Sequence, residues 1–411
     1  MKQEIPINPN MLKWARLQAK LTPTRAAFKA GMKAGHGANI KTESLSPALR
    51  LESWENGIET PTFSQLKKLA HAYRRTVLTF FLTAPPKKER GLVDFRVFGK
   101  YESAQESFEA EFSALIRRIE GIQKITRDLL ISSNTPPLGF IGTAKTSLSP
   151  KSLAVIIREY LGFEPTGYIK SKTIDGKLNL IRQKAESKGI FVIFQGNLGS
   201  YHTDFAPEVF RGFTLSDPMA PFVVINPNDT KTANIFTLIH ELTHLWLGDA
   251  CISNTDIWSV EAPSEKPSTE KFCDLVASEF LVPEDAILKD WELFTIGYDN
   301  DAVIRRIAKL AKVSPIVVAI KLFQLNKISS SEYWRWYDAY QEEWKQIKEF
   351  IQEKRKRKKD SGPGYNKRMK YALGSALLHT ISSAARDGLI SEIEVSGLIR
   401  VKIDAFNQVF G

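Results

Sequence analysis

The chain has 411 residues, 43% of them hydrophobic and 25% charged, which suits a folded protein of two or three domains. No stretch approaches the ~18 consecutive apolar residues of a membrane span, and the start MKQEIPINPNMLKW lacks the apolar core of a secretion signal, so no membrane association is expected. The formal net charge of +11 is concentrated: residues 1–90 hold 16 Lys+Arg against 6 Asp+Glu, and the remainder holds 41 against 40.

A basic excess confined to the first fifth of the chain is what a segment meeting a polyanion requires. The only cysteines, Cys251 and Cys273, fit a reducing cytoplasm better than a disulfide framework.

Residues 9–20 space Met11 or Leu12, Ala15 and Ala19 as on a helix. A second helix is expected over 22–32, capped by Thr22 or Thr24 and ended by Gly31. A third is expected over 44–57, with Ser46 as cap, Pro47 in the first helical position, and Leu51 and Trp54 facing inward. Residues 61–75 give a fourth, with Leu66, Leu69 and Ala70 on one face, and 76–82 a fifth, before APPKKER at 84–90 breaks the pattern. Five short helices with a Gly-terminated second one outline a repressor-type helix-turn-helix domain whose third helix would enter the major groove of double-stranded DNA. Arg50 and Ser53 are its candidate base or phosphate contacts.

Residues 104–133 read as a long helix and 134–150 as a linker, followed by helix-like segments at 149–163 and 177–189. Three strand-like runs follow, at 189–195, 208–216 and 221–227. The edge formed by Phe210, Arg211, Gly212 and Phe213 is either an ordinary sheet edge or a place for substrate to add as a strand. A helix is expected from about Lys231 to Leu247 with Gly248 after its end, and a second around 268–281, ended by Pro283. The run KRKRKK at 354–359 reads as a solvated loop, with phosphate binding as the alternative.

The helix at 231–247 contains TLIHELTHLWLG, in which His240 and His244 lie four residues apart on one face and Glu241 follows the first. This is the zinc-peptidase spacing H-E-x-x-H, which arises by chance in about one unrelated 400-residue chain in twenty. Ile235, Leu238, Ile239, Leu242, Leu245 and Trp246 make the helix apolar nearly all round, so it is expected to be buried. An unpaired Glu241 would be costly there.

A catalytic zinc needs three protein ligands and an open position. Glu270, 26 residues after His244, lies on the helix at 268–281 with Asp274 one turn further on the same face. The arrangement resembles gluzincins such as thermolysin, in which a glutamate on a second helix completes the site and an Asp four residues later supports a histidine ligand. His240, His244 and Glu270 would then hold the metal. Its bound water would be acidified toward about pKa 7, and Glu241 would take that water's proton and pass it to the leaving amine. His202 is a candidate for stabilising the oxyanion, and Cys273 is expected as a small core residue that could approach the site.

With both halves in view, the chain resembles the ImmA/IrrE family of bacterial metallopeptidases, in the subgroup fused to an N-terminal XRE-type helix-turn-helix. The segments that carry the resemblance are INPNMLKWAR (7–16), SWENGIETPTFSQLKKLA (53–70), FFLTAPP (80–86), DFRVF (94–98), residues 210–248 and EKFCDLVASEFLVP (270–283). The resemblance implies an α+β, mostly helical protein. A five-helix helix-turn-helix domain would occupy 1–85, a helical linker 86–150, and a zincin-like metallopeptidase domain 151–295 with a small antiparallel or mixed sheet and two metal-bearing helices. A helical region of unassigned role would occupy 296–411. It further implies Zn2+ or sometimes Mn2+ as cofactor, a cytoplasmic location, and cleavage of a protein substrate such as a repressor.

Two positions depart from the family pattern. Asp274 stands where relatives usually carry Asn. Gly31 and Trp54 are 23 residues apart, which makes 32–44 an insertion ahead of the recognition helix, adding a basic arm with Lys33 and Lys41 or altering the fit to DNA. Two further readings stay open at this level: a transcriptional regulator or antitoxin-like protein whose metal domain senses or scaffolds without proteolysis, and a residue 1–85 module that docks protein rather than DNA.

Overall fold

A computed structural model describes residues 7–19, 21–32, 46–85, 105–198, 203–207, 209–248, 252–253, 268–357, 364–399, 401 and 408–409. Among these the chain is mostly helical, with sixteen α-helices and a small mixed sheet, an α+β composition. No described helix is long and apolar enough to cross a membrane. The chain divides into two compact units, Met1–Arg117 and Arg118–Gly411, the division falling within the long helix α5 (Gln105–Ser132).

In the first unit, α1 (Pro9–Gln18), α2 (Pro23–Lys29), α3 (Pro47–Glu55) and α4 (Phe63–Tyr73) are each opened by a side-chain cap, from Asn8, Thr22, Ser46 and Thr62 respectively. Proline at the start of the first three loses no hydrogen bond, because the first N–H groups of a helix have no internal partner. The segment expected as a fifth α-helix is a 3-10 helix, Val77–Phe81. Leu12, Ala26, Leu51, Trp54, Leu66 and Phe80 lie in the core. A buried two-pronged ion pair, with Arg16 Nε and Nη2 at 2.7 and 2.8 Å from the Glu55 carboxylate, ties α1 to α3. Residues 33–45, and with them Lys33, Lys41 and nearly all of the expected insertion, lie outside the described residues.

The second unit is built on β1 (Phe191–Phe194), β2 (Gly212–Leu215), β3 (Phe222–Ile225) and the two-residue β4 (Ile252–Ser253), in the order β1-β3-β2-β4. β1 runs parallel to β3, while β2 is antiparallel to both β3 and β4. Every residue of β1, β2 and β3 is buried, as the unbroken apolar runs FVIF and FVVI require of strands covered on both faces. Around the sheet lie α6 (Pro150–Tyr160), α7 (Ile174–Glu186), α8 (Lys231–Leu247) and α9 (Ser268–Leu281). Helices α10 (Glu284–Phe294), α11 (Asn300–Ala311), α12 (Pro315–Gln324) and α13 (Ser330–Arg357) follow, then α14 (Tyr365–Leu373), α15 (Ser375–Arg386) and α16 (Glu392–Ile399). One hydrophobic cluster runs from Phe140 to Trp336, so residues of α11 and α12 share the core of α8 and α9.

The basic run KRKRKK is not simply a loop: its first four residues complete α13, which continues to Arg357. No Gly or Pro interrupts the preceding residues, and cations at a helix C-terminus meet its negative dipole end. The helix-breaking sequence SGPG comes only at 361–364.

Three devices hold α8 and its surroundings in place. Thr230 caps the start of α8, and Gly248 ends it at φ 74°. The N–H groups of Gly142 and Ala144 then donate to Leu245 O and Trp246 O, at 3.0 and 2.8 Å, closing the last turn. Arg158 donates to Phe280 O at 2.6 Å, at the end of α9, and Lys177 donates to Ala311 O at 2.7 Å, at the end of α11, each placing a buried cation on terminal helix carbonyls. The third device joins the C-terminal helices to the sheet. Arg182 donates to Val192 O of the edge strand β1 and to Tyr371 O, and its guanidinium lies over the rings of Phe194 and Tyr371. Glu186 pairs with Arg182 at 2.8 Å and accepts from Ser375 N at 2.9 Å.

Burial, reinforced by the charge of Arg158, pulls the Lys177 ammonium down to about 7. Between that value and the ordinary lysine range the unfolded chain binds more protons than the folded one, so stability rises with pH across the window. The urea unfolding free energy of the wild type should therefore gain on that of Lys177→Met between pH 7 and pH 10, by about 3 kcal/mol at ~1.36 kcal/mol per pK unit. Parallel pH profiles for the two proteins would contradict the assignment.

Candidate metal centre

Positions 233–246 of α8 are all buried, so the polar residues His240, Glu241 and His244 sit inside the protein. Such groups are tolerated only where partners meet them. Two elements supply these. The α9 helix presents Glu270, Cys273 and Asp274, at positions i, i+3 and i+4 of one face, and β2 presents Gly212 and Thr214.

His240 Nε2 lies 3.2 Å from Glu270 Oε2 and 3.2 Å from His244 Nε2, and His244 Nε2 lies 3.3 Å from Glu270 Oε1. On the opposite side of its ring, His240 Nδ1 is 2.9 Å from Asp274 Oδ1. The second ring is backed differently: His244 Nδ1 lies 3.8 Å from Cys273 Sγ. Donor atoms of His240, His244 and Cys273 all fall within 4.8 Å of one another, and all three side chains are buried.

The cluster is arranged to hold positive charge. Burial alone would pull the His240 imidazole down, but its hydrogen bonds to Asp274 and Glu270 outweigh this and push it up to about 10. Burial would raise Glu270, yet its hydrogen bonds to the two histidines hold it far below the usual carboxylate range. A divalent cation satisfies the same demand. Three donors held about 2.0–2.1 Å from a tetrahedral ion lie about 3.3–3.4 Å apart, close to the 3.2–3.3 Å among His240 Nε2, His244 Nε2 and the Glu270 oxygens. Two imidazoles and a carboxylate also form the donor set of a catalytic zinc site. The residues present fit such an ion.

Glu241 points toward β2. The Thr214 hydroxyl is 2.7 Å from Glu241 Oε2 and 2.9 Å from Glu241 O. At Gly212, a Cβ would stand 2.9 Å from Glu241 Cγ and 3.0 Å from Oε1, so glycine provides the room in which the carboxylate lies. Neither Thr214 nor Gly212 was singled out from the sequence as a partner of Glu241. The available signal was a glycine inside the strand-like run FRGFT, which often marks close approach by another group.

Other expectations fall differently. The edge at 210–213 is not open. Gly212 and Phe213 pair with Ile225 and Val224 on one side and with Ser253 and Ile252 on the other, while Arg211 is buried in an ion pair with Asp229 at 2.8 Å. Ladder hydrogen bonds from both neighbours take up the groups that an added strand would need. Cys273, expected in the core, is buried but also touches His244. Arg50 and Ser53 lie on α3 in the first unit, both half-buried, with the Arg50 guanidinium 5.5 Å from the centre of the Trp54 ring. His202, like Lys41, lies outside the described residues.

Residues 185–323 match the family model of the IrrE N-terminal-like domain, the M78 peptidases. The match supports a metallopeptidase-type hydrolase in this part of the chain, and such a family implies a metal. It covers β1 through α12, and so includes α8, α9 and every residue of the cluster. No curated protein matches the chain.

Gly212→Ala should lower the urea unfolding free energy by about 1–3 kcal/mol, because the added methyl meets buried Glu241 and Thr237 side chains that have little room to yield. A variant as stable as the wild type would show that the Glu241 side chain moves aside freely.

Proposed function

We propose that the protein is a DNA-binding regulator whose metallopeptidase-type domain hydrolyses a peptide bond in a protein partner such as a repressor. The observation that carries the catalytic half is the meeting of His240 Nε2, His244 Nε2 and Glu270 within 3.3 Å, beside a carboxylate, Glu241, held by Thr214. The DNA-binding half is supported by the basic excess of residues 1–90 and by the short, capped helices of the first unit, with α3 presenting Arg50 and Ser53. The expected setting is the cytoplasm.

His240, His244 and Glu270 would hold zinc, and the same N/O donor set tolerates manganese. When bound, the ion supplies a Lewis acid for the scissile carbonyl and lowers the pKa of the attacking water. Asp274, accepting the Nδ1–H of His240, fixes that ring with Nε2 turned inward. Glu241 removes the proton of the attacking water and delivers it to the departing amine nitrogen. Thr214, donating to Oε2, limits the rotation of that carboxylate. The buried apolar wall of α8 lowers the local dielectric and strengthens these interactions.

A second reading is a metal domain that senses or scaffolds without turnover. The hydrogen-bonded placement of Glu241 favours the first, since a scaffold has no use for an oriented base beside its ligands.

Purified wild type should carry close to one equivalent of zinc or manganese by elemental analysis, and His240→Ala should carry almost none. Glu241→Gln should keep the metal while cleavage of candidate repressors falls at least ~100-fold, as removal of a general base demands. Equal cleavage by wild type and Glu241→Gln would refute the mechanism. For the first unit, duplex-DNA affinity should fall steeply across a rising salt series and be weakened by Arg50→Ala; affinity insensitive to salt would exclude phosphate-driven binding.

A further inference from the structure

We propose that Cys273 is a positioning residue of the metal centre: its sulfur accepts the Nδ1–H of His244 and holds that ring with Nε2 turned to the cation. The inference rests on the reading of His240, His244 and Glu270 as ligands.

A neutral imidazole carries one N–H, and the partner of one nitrogen decides what the other can do. For His240 the partner of Nδ1 is an Asp274 carboxylate oxygen, an acceptor, which leaves the lone pair of a neutral ring on Nε2. His244 presents its own Nδ1 to Cys273 Sγ at 3.8 Å, within reach of an N–H···S hydrogen bond. The reverse arrangement, with the thiol donating to Nδ1, would place the ring hydrogen on Nε2. That hydrogen would point toward His240 Nε2, 3.2 Å away, into the space a cation needs. Ligation therefore selects the arrangement in which sulfur accepts.

The sequence pattern of α9 supports the assignment independently. Glu270, Cys273 and Asp274 share one helical face, so a single turn delivers the carboxylate ligand and a backing group for each histidine. Cys273 is fully buried at 0% exposure, so bulk water is not at hand to replace the sulfur. An apolar side chain of equal size would leave the Nδ1–H of His244 without this acceptor. The 3.8 Å contact is to the outer nitrogen of His244, while Glu270 Oε1 reaches the inner one, which makes Cys273 a supporting group and not a ligand.

The test uses the full-length protein loaded with zinc. Chelator competition should give a Kd about 10-fold weaker for Cys273→Val, which replaces the sulfur by an apolar branch about one methyl group larger, in line with the ~10–100-fold cost of losing such support. Val276→Ala, at another buried position of α9, should lower the unfolding midpoint but leave zinc affinity unchanged. Long-range proton–nitrogen spectra of the zinc-loaded wild type should show His244 protonated on Nδ1, a readout that depends on no variant folding. Zinc affinity of Cys273→Val equal to wild type, or His244 bound to zinc through Nδ1, would overturn the proposal. So would a thiolate charge-transfer band on cobalt loading, which would make Cys273 a ligand. Failure of the wild type to bind zinc at all would instead defeat the underlying metal reading, and the wild-type titration alone reports it.

Discussion

The constraint on which the second unit depends is the burial of three ionisable side chains within a helix that has no solvent face along fourteen positions, 233–246. Such a helix is stable only if each polar atom finds a partner, because an uncompensated charge in that setting costs several kcal/mol. The partners come from outside α8. One face of α9 meets both histidines, and β2 meets the glutamate. Packing and chemistry are thus one arrangement: the contacts that make α8 tolerable as a core element also bring two imidazoles and a carboxylate to one point.

Around this point the fold confines movement. Gly142 and Ala144 close the end of α8, and Thr230 fixes its start, so the register of His240 against α9 has little freedom. Arg158 and Lys177 bring buried donors to the C-terminal carbonyls of α9 and α11. A polar cluster held to a few tenths of an ångström needs rotamers locked by their surroundings, and here His240, His244 and Glu270 sit on two packed helices rather than on loops.

Much of this was legible in the sequence. The spacing of His240, Glu241 and His244, together with Thr230 and Gly248 at the ends, defined α8 as Lys231–Leu247, and the amphipathic run at 268–281 defined α9. Helical period and cap chemistry are local, so they survive into the fold. What the sequence concealed was non-local. Nothing near Thr214 indicates that its hydroxyl will meet a glutamate 27 residues later, and Cys273 reads equally as core filler until the ring of His244 is placed beside it. The pairing of β2 with β4 was missed because a two-residue strand has no period to detect. The basic run at 354–359 misled because its charge suggested a loop, whereas helix continuation there depends on the absence of a breaker.

The latch formed by Arg182, Glu186 and the turn at Gly374 bears on how the chain can be dissected. Gly374 sits at φ 82° with Val192 O against it, so the C-terminal helices meet the sheet through backbone as well as side chains. A fragment ending near residue 295 would strip the apolar surface that α8 and α9 share with α11 and α12 and uncover the outer edge of β1. An uncovered edge strand next to exposed core is a template for self-association. The smallest piece that keeps His240, His244 and Glu270 within a covered core therefore extends well past those residues, to Ser375 at least.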